Sequence, residues 1–296
     1  MPPERPTSAA FDRAAPILFV FLWSTGWIVA RYSADYADPL TFLGFRFAGA
    51  GLAIFAVVFL TGAPFPKTRV EVGHALVSGV LLHAAYLGGV WWAVRHGVPA
   101  SISALIAAVQ PIATALLAPA LLGERTSLRR LGGVAIGLIG LTLVLWPKLA
   151  TASFGEDAVL PIAVNVLAMF GATAGFFYQK RFHPSGDLRA VAGLQYVGAL
   201  AAILPVAFLL EPMRVEWNMT MAVVLAWSVL ALSLGAIGLL LLLIRHGEVS
   251  RAAQLIYLVP PTAAIQAYFL FGERFSALQL LGMAATAAGV AIANRR

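Results

Sequence analysis

The sequence predicts an all-α polytopic membrane protein with ten transmembrane helices arranged as two inverted five-helix repeats. Three observations lead to this fold class: the composition, the length of the apolar runs and an internal repeat. Of the 296 residues, 60% are hydrophobic and 11% are charged, with a mean hydropathy of +0.87. About 25% of the residues of a soluble domain are charged, so this chain has too few charges to cover a water-soluble surface. The composition therefore indicates an integral membrane protein.

Apolar runs of helix length fill most of the chain. A helix needs about 20 apolar residues to cross a bilayer, and these runs are continuously apolar, unlike the alternating strands of a membrane β-barrel. The first run is too long for the apolar core of a signal peptide and lacks a small-residue cleavage site, so we expect an uncleaved helix. The predicted helices occupy residues 14–32, 39–61, 72–94, 100–122, 127–147, 159–181, 188–210, 219–244, 249–271 and 276–294.

The basic residues lie mainly in the short connections between these runs. The formal net charge is +7, but the lysines and arginines form no patch of the kind that binds nucleic acid. Because cytoplasmic connections are enriched in Lys and Arg, we expect both termini in the cytoplasm of a multi-pass protein of the bacterial cytoplasmic (inner) membrane. Fourteen basic residues then lie inside: Arg5, Arg13, Lys67, Arg69, Arg125, Arg129, Arg130, Lys180, Arg181, Arg189, Arg245, Arg251, Arg295 and Arg296. Five lie outside: Arg31, Arg95, Lys148, Arg214 and Arg274.

The two halves of the chain match each other at an offset of 149–150 residues. The tripeptide RHG occurs at 95–97 and at 245–247, and the tripeptide GER occurs at 123–125 and at 272–274. This number of matches in one register indicates a duplication. Further pairs in the same register are Gly44 with Gly193, Gly49 with Gly198, Gly133 with Gly282, Gly140 with Gly289, and Asp38 with Asp187.

An odd number of helices per repeat determines the relative orientation of the two copies. With five helices in each copy, the second must enter the membrane upside down, an arrangement common in secondary transporters. The predicted organisation is a cytoplasmic N-terminal segment at 1–13, a first repeat at 14–147, a linker at 148–158 and a second repeat at 159–296.

These features resemble the drug/metabolite transporter superfamily, in particular its ten-helix EamA-type branch, over residues 14–294. The resemblance rests on a proline-containing fourth helix in each repeat, the GER that follows it and a glycine-rich fifth helix. It also rests on LWSTGWIVAR in the first helix and FRF at 45–47. The HAAY at 83–86 is similar to the bacterial aromatic-amino-acid exporters of the YddG type. The resemblance implies outward transport of a small organic molecule.

Ionisable groups in the middle of a span are costly and point to function. All thirteen acidic residues fall at predicted helix ends or in loops, so antiport driven by a mid-membrane carboxylate is not expected. His83 shares a helical stripe with Tyr86 and is either a cavity residue or a histidine that is hydrogen-bonded to a neighbouring helix. We expect Arg46 to snorkel outwards or to cap helix carbonyls rather than to bind substrate. Trp91 and Trp92 are expected in an interfacial aromatic belt.

The proline positions and the deeper aromatic residues define a candidate substrate site. Pro111 aligns with Pro261, and helix breaks at corresponding places in inverted repeats indicate a transporter's binding site. Irregular backbone at that depth is tolerated where it lines a cavity. Packing against lipid or core stays open as an alternative for each aromatic residue. The candidate substrate-binding residues are His83, Tyr86, Gln110, Pro111, Trp23, Trp27, Phe177, Tyr257, Pro260 and Pro261.

The predicted function is a secondary transporter that exports a small organic metabolite, an aromatic or other hydrophobic amino acid, by alternating access. The substrate carboxylate would bind Gln110 or His83. Alternatives are an exporter of drugs or other metabolites, such as purines and cationic compounds, or a membrane channel. No metalloprotease, thiol or phosphate-loop motif indicates an enzyme, and without cysteine no disulfide or thiolate metal site can form. No cofactor is expected. The expected partners are the lipid bilayer and the substrate, with a monomer favoured and a dimer left open.

Overall fold

The computed structural model describes residues 9–107, 110, 127–150, 159–182, 185–236, 238–239 and 258–294. Within these residues the secondary structure is helical, as the sequence predicts, apart from one isolated β-bridge between Ala37 and Val215. The helices, in chain order, are α1 (Ala9–Ser33), α2 (Pro39–Thr61), α3 (Arg69–Arg95), α4 (Ala100–Ala107), α5 (Leu128–Ala150), α6 (Val159–Arg181), α7 (Leu188–Leu210), α8 (Met219–Ala236), α9 (Val259–Phe271) and α10 (Ala277–Asn294). Parts of the predicted helices 100–122, 219–244 and 249–271 lie outside the described residues.

Several of these helices are long and apolar enough to cross a bilayer. Among the described residues, six helices meet that condition, namely Ala14–Ser33, Pro39–Thr61, Arg69–Arg95, Val159–Gln179, Leu188–Leu210 and Met219–Ala236. Helices α5 and α10 contain shorter apolar stretches, Leu131–Val144 and Ala277–Gly289. The chain is a multi-pass membrane protein.

Local sequence sets the helix ends. Helix α2 begins directly after Asp38 with a proline, and it ends at Gly62, whose φ of +62° few other residues adopt. Helix α3 begins with a capping box, in which Thr68 and Glu71 satisfy each other's backbone amides.

The two adjacent prolines at 260 and 261 lie at the start of α9. Both stand in its first turn, directly after Val259. The first four amides of a helix have no partner inside the helix, so a proline there removes no hydrogen bond. Within the described residues, both prolines are therefore compatible with the helix in which they stand.

Helices α2 and α7 run antiparallel, and backbone hydrogen bonds join them at both ends. At one end the amide of Asp38 donates to the carbonyl of Arg214, with an N–O distance of 3.0 Å. At the other end the amide of Asp187 donates to the carbonyl of Pro64, also at 3.0 Å. Each helix is thus attached at its start to the loop that follows its partner.

Helices α5 and α10 form a second antiparallel pair, held by glycines. Gly140 lies against the backbone of Gly282 and Thr286, and Gly289 lies against the backbone of Gly133 and Gly137. Small residues at such spacing let helix backbones approach closely in membranes. These glycines therefore serve packing within the chain.

Helices α3 and α8 each contain a π-helical segment. The segment of α3 is Val80–Ala85, and that of α8 is Ser228–Ala236. Shifting residues 80–85 by the repeat offset of 149 gives 229–234, so the two segments occupy corresponding positions. Single-turn π-helical segments occur frequently at functional sites, and both of these contribute residues to the cavity described next.

Candidate substrate site

A cavity of about 340 Å³ lies between α1, α2, α3, α6, α7 and α8. Its described lining is made of aromatic, aliphatic and uncharged polar residues together with one arginine. The described residues that line it are Trp23, Gly26, Trp27, Arg46, Leu82, His83, Tyr86, Leu87, Val90, Trp91, Gln110, Ala172, Gln179, Leu188, Val191, Ala192, Gln195, Tyr196, Leu232 and Ala236.

His83 lies within the π-helical segment of α3 and faces this cavity. Its ring stacks on that of Tyr196, with centroids 4.7 Å apart and an angle of 9° between the planes. The ring of Phe47 lies 6.1 Å away from it on α2. The imidazole is therefore held by aromatic neighbours from two helices, and it forms part of the cavity wall.

Arg46 of α2 is the charged residue in the described lining. Its side chain is buried, with 7% of its surface exposed, and its guanidinium carbon lies 5.3 Å from the centre of a Trp91 ring. This cation–π contact stabilises the charge. Within the described part of the chain, however, Nε and Nη1 of Arg46 have no hydrogen-bond partner. The side chain therefore does not snorkel outwards, contrary to the first part of the sequence interpretation, and its Nε and Nη1 cap no carbonyl of the described residues.

Three further buried donors around this cavity lack partners among the described residues. They are the indole N–H groups of Trp27 and Trp91 and the side-chain amide nitrogen of Gln195. None of the described lining residues is an aspartate or glutamate. The cavity therefore combines a buried positive charge with donors that have no partner in the described part of the chain, and chemically it suits a group that accepts hydrogen bonds.

Five of the predicted site residues line this cavity, namely Trp23, Trp27, His83, Tyr86 and Gln110. Phe177 is buried but is not among the described lining residues, because α6 contributes Ala172 and Gln179 to this wall instead. Pro111 and Tyr257 lie outside the described residues.

Pro260 and Pro261 line a different cavity. That cavity has a volume of about 400 Å³ and an almost wholly apolar lining from α9, α10 and the Phe275 loop between them, with Leu105 of α4. The prolines line it because they stand in the first turn of α9, whose later residues line the same cavity. Among the described residues the two cavities share no lining residue.

Sequence reasoning did not predict that Arg46, Trp91, Gln195 and Tyr196 line this cavity. Trp91 was expected at the membrane interface, yet it is 3% exposed and lies against Arg46. The repeat register contained the missing signal for α7, because the offset of 149 maps Arg46 onto Gln195 and Phe47 onto Tyr196. The rings of Phe47 and Tyr196 lie 6.0 Å apart, so these corresponding positions meet beside the cavity.

Comparison with solved structures shows the same overall fold. A chain described as "Crystal structure of protein" matches with a TM-score of 0.64 and 18% sequence identity, covering 95% of this chain and 96% of that one. At that identity the likeness concerns the fold alone.

Several curated proteins are similar over nearly their whole length. A "Probable amino-acid metabolite efflux pump" of Salmonella typhimurium strain LT2 is 24% identical, over 95% of this chain and 94% of the relative. A "Probable terminal-alkyne amino-acid exporter" of Streptantibioticus cattleyicolor is 27% identical, over 95% and 93%. An "Uncharacterized inner membrane transporter YedA" of Escherichia coli K12 is 28% identical, over 88% and 83%.

The family comparison covers both halves of the chain. The profile of the EamA-like transporter family matches residues 14–146 and again residues 160–295. These two matches include each helix described above apart from the outermost residues, and they coincide with the two halves that the sequence register relates. The chain belongs to the EamA-like transporter family.

Proposed function

We propose that this protein is a secondary transporter that exports a small metabolite, with aromatic and other hydrophobic amino acids as its substrate class. The observation that carries the proposal is the aromatic cavity between the helices. Trp23, Trp27, Tyr86 and Tyr196 line it together with neutral hydrogen-bonding groups such as His83. Aromatic walls bind planar apolar groups by stacking, and a volume of about 340 Å³ lies within the range of small-molecule sites.

The antiparallel helix pairs support an inverted repeat and, with it, alternating access. Helices α2 and α7 occupy corresponding positions in the two halves and run in opposite directions, and the same holds for α5 and α10. Inverted repeats place the substrate site near the middle of the membrane and allow one bundle of helices to move against another around it. We therefore assign residues 14–147 and 159–296 as the two repeats, linked by 148–158.

The direction of transport is proposed from the relatives and the charge distribution. Two of the similar proteins carry names that denote efflux or export of amino-acid compounds. The excess of Lys and Arg in alternate connections favours both termini in the cytoplasm of the inner membrane. Outward transport would then take substrate from the cytoplasm.

Counterflow in proteoliposomes tests the proposal. Vesicles that contain the purified protein are loaded with unlabelled phenylalanine and diluted into trace labelled phenylalanine. The proposal predicts transient accumulation of label and saturable uptake. Unlabelled aromatic and aliphatic amino acids, purines and cationic drugs then serve as competitors. Uptake that rises linearly with concentration and shows no counterflow would indicate a channel and contradict the proposal. Competition by purines or cationic drugs alone would contradict the substrate class.

A matched pair of variants links the activity to the cavity. Trp27→Ala removes an aromatic wall of the cavity, whereas Phe208→Ala removes an aromatic side chain that is 70% exposed on the outer surface of α7. Trp27→Ala is expected to raise KM by about tenfold or more, since losing an aromatic contact costs about 0.5–1.5 kcal/mol beyond the lost apolar burial. Phe208→Ala should transport normally. If the two variants have the same KM, the substrate binds outside this cavity.

A further inference from the structure

Among the described residues, Nε and Nη1 of Arg46 lack hydrogen-bond partners, and the proposed function does not explain this feature of the cavity. Burying an arginine inside a membrane protein is costly, and such residues normally pair with an acid or a carbonyl. Within the described residues, Nε and Nη1 have no such partner, and the cation–π contact with Trp91 is what stabilises the charge. An aromatic ring leaves the hydrogen-bonding capacity of these atoms unused.

Acidic side chains in the described part of the chain are engaged elsewhere. The carboxylate of Glu211 accepts hydrogen bonds from the first amides of α2. That of Asp187 is bound to Arg189, and that of Glu273 is bound to the hydroxyl of Ser101. These contacts lie at helix ends and not at the cavity, so the positive charge of Arg46 is not neutralised by them.

The neighbouring groups without described partners are hydrogen-bond donors, as the guanidinium of Arg46 is. The indole nitrogens of Trp27 and Trp91 can only donate hydrogen bonds, and the free atom of Gln195 is its amide nitrogen. A group that fits this surface accepts several hydrogen bonds and carries negative charge. A carboxylate does both, and the fork of a guanidinium matches its two oxygens.

We propose that Arg46 binds the carboxylate of the substrate and that the site recognises this carboxylate rather than the amino group. The proposal rests on the proposed function, because it takes the aromatic cavity as the substrate site. A substrate ammonium would find neutral groups and aromatic faces there, since no described lining residue is acidic, and Arg46 would repel it. Arylalkanoic acids without an amino group should therefore bind like the amino acids, and amides and amines should bind poorly.

A ligand series on the wild-type protein tests the proposal without any variant. The probes are phenylalanine, 3-phenylpropanoate, phenylalaninamide and phenethylamine, and binding to the detergent-purified protein is measured by calorimetry. The two acids are expected to bind at least about tenfold more tightly than the amide and the amine, the factor that corresponds to a hydrogen bond to a charged group. If the amide or the amine binds as tightly as the acids, or if 3-phenylpropanoate fails to bind where phenylalanine binds, the proposal is overturned.

Substitutions of Arg46 then locate the effect. Arg46→Gln should weaken binding of the acids by about ten- to hundredfold while leaving the affinity for the amide nearly unchanged, and Arg46→Lys should retain part of the preference. Arg31→Gln is the matched control, because Arg31 is exposed at the end of α1 and pairs there with Asp35. A folded Arg46→Gln protein that still prefers acids to amides by the wild-type factor would overturn the proposal.

The outcomes separate this proposal from the proposed function. If phenylalanine shows counterflow but phenylalaninamide competes as well as phenylalanine does, the proposed transport activity is supported and the carboxylate site is refuted. If the acids bind selectively through Arg46 but vesicles show no counterflow, the carboxylate site is supported and the proposed transport activity is refuted.

Discussion

Replacing Gly79 by alanine should destabilise the protein and disturb the cavity. Gly79 lies at the crossing of α3 and α7, directly before the π-helical segment that carries His83. A methyl group on Gly79 would lie 2.6 Å from the Cα of Gln195 and closer still to its carbonyl oxygen. The obstacle is backbone, which cannot rotate away as a flexible side chain can.

The size of the effect follows from this distance. Carbon atoms pack at about 3.5 Å or more, so α3 and α7 must separate by about 1 Å. Overpacking of this kind typically costs about 1–3 kcal/mol. Gly79 has ordinary helical angles, with φ −63° and ψ −43°, so the backbone itself does not resist alanine. The loss is therefore steric, and it displaces α3 from the backbone of Gln195, a residue that lines the cavity.

Gly73→Ala provides the matched control on the same helix. A methyl group on Gly73 meets no atom within 4 Å, so it should be neutral or stabilise the helix by up to about 1 kcal/mol. Thermal unfolding of the purified proteins in detergent should differ by roughly 2–12 °C, taking about 2–4 °C per kcal/mol. Phenylalanine binding should weaken in Gly79→Ala only. If the two variants unfold at the same temperature, the close crossing of α3 and α7 is refuted.

Three further predictions concern other parts of the molecule. Glu211→Ala removes the carboxylate that caps the start of α2, where Asp38 provides no side-chain cap. It should lower the free energy of unfolding by about 1–2 kcal/mol. The control is Glu216→Ala, whose partner Arg214 is 3.7 Å away and which should unfold like wild type in the same thermal assay. Trp227→Phe removes the 2.9 Å hydrogen bond to Thr25 that joins α8 to α1. It should lower the free energy of unfolding by about 0.6–1.7 kcal/mol. Trp217→Phe, at a largely exposed tryptophan, should unfold at the wild-type temperature. Initial phenylalanine flux should not respond to an imposed pH gradient, because no acidic side chain lines the described cavity; stimulation that His83→Gln abolishes would instead indicate proton exchange.

The sequence predicts the helices well because the bilayer sets their length and helix ends have local signals. Helix α2 begins at Pro39 and ends at Thr61, the bounds predicted from its apolar run. The direction in which a side chain faces is harder to predict. Phe42 and Phe45 are both apolar residues of α2, yet Phe42 is fully buried and Phe45 is 42% exposed. Lipid is as apolar as the protein interior, so hydrophobicity does not distinguish the two.

The residues that line the cavity were only partly predictable, because the sequence does not show which way a side chain faces. Trp27, His83 and Tyr86 were found because polar and aromatic groups deep in a span are unusual. Arg46 was misread, because an arginine about 10 Å along a helix has the reach either to snorkel outwards or to turn inwards. Only tertiary packing, here the ring of Trp91, decides between the two.

The double attachment of α2 to α7 has a mechanical consequence. The backbone contacts at both ends, including the bridge between Ala37 and Val215, prevent the two helices from sliding past each other. Arg46 and Gln195 lie on this pair, so both would keep a constant separation while the remaining helices move around them. Since the chain has no cysteine, an Ala37→Cys/Val215→Cys protein can form only one disulfide, across an isolated antiparallel β-bridge, and residues opposite each other in such a bridge lie close enough for one. Such a cross-link would hold α2 and α7 together permanently. The cross-linked protein should still transport substrate.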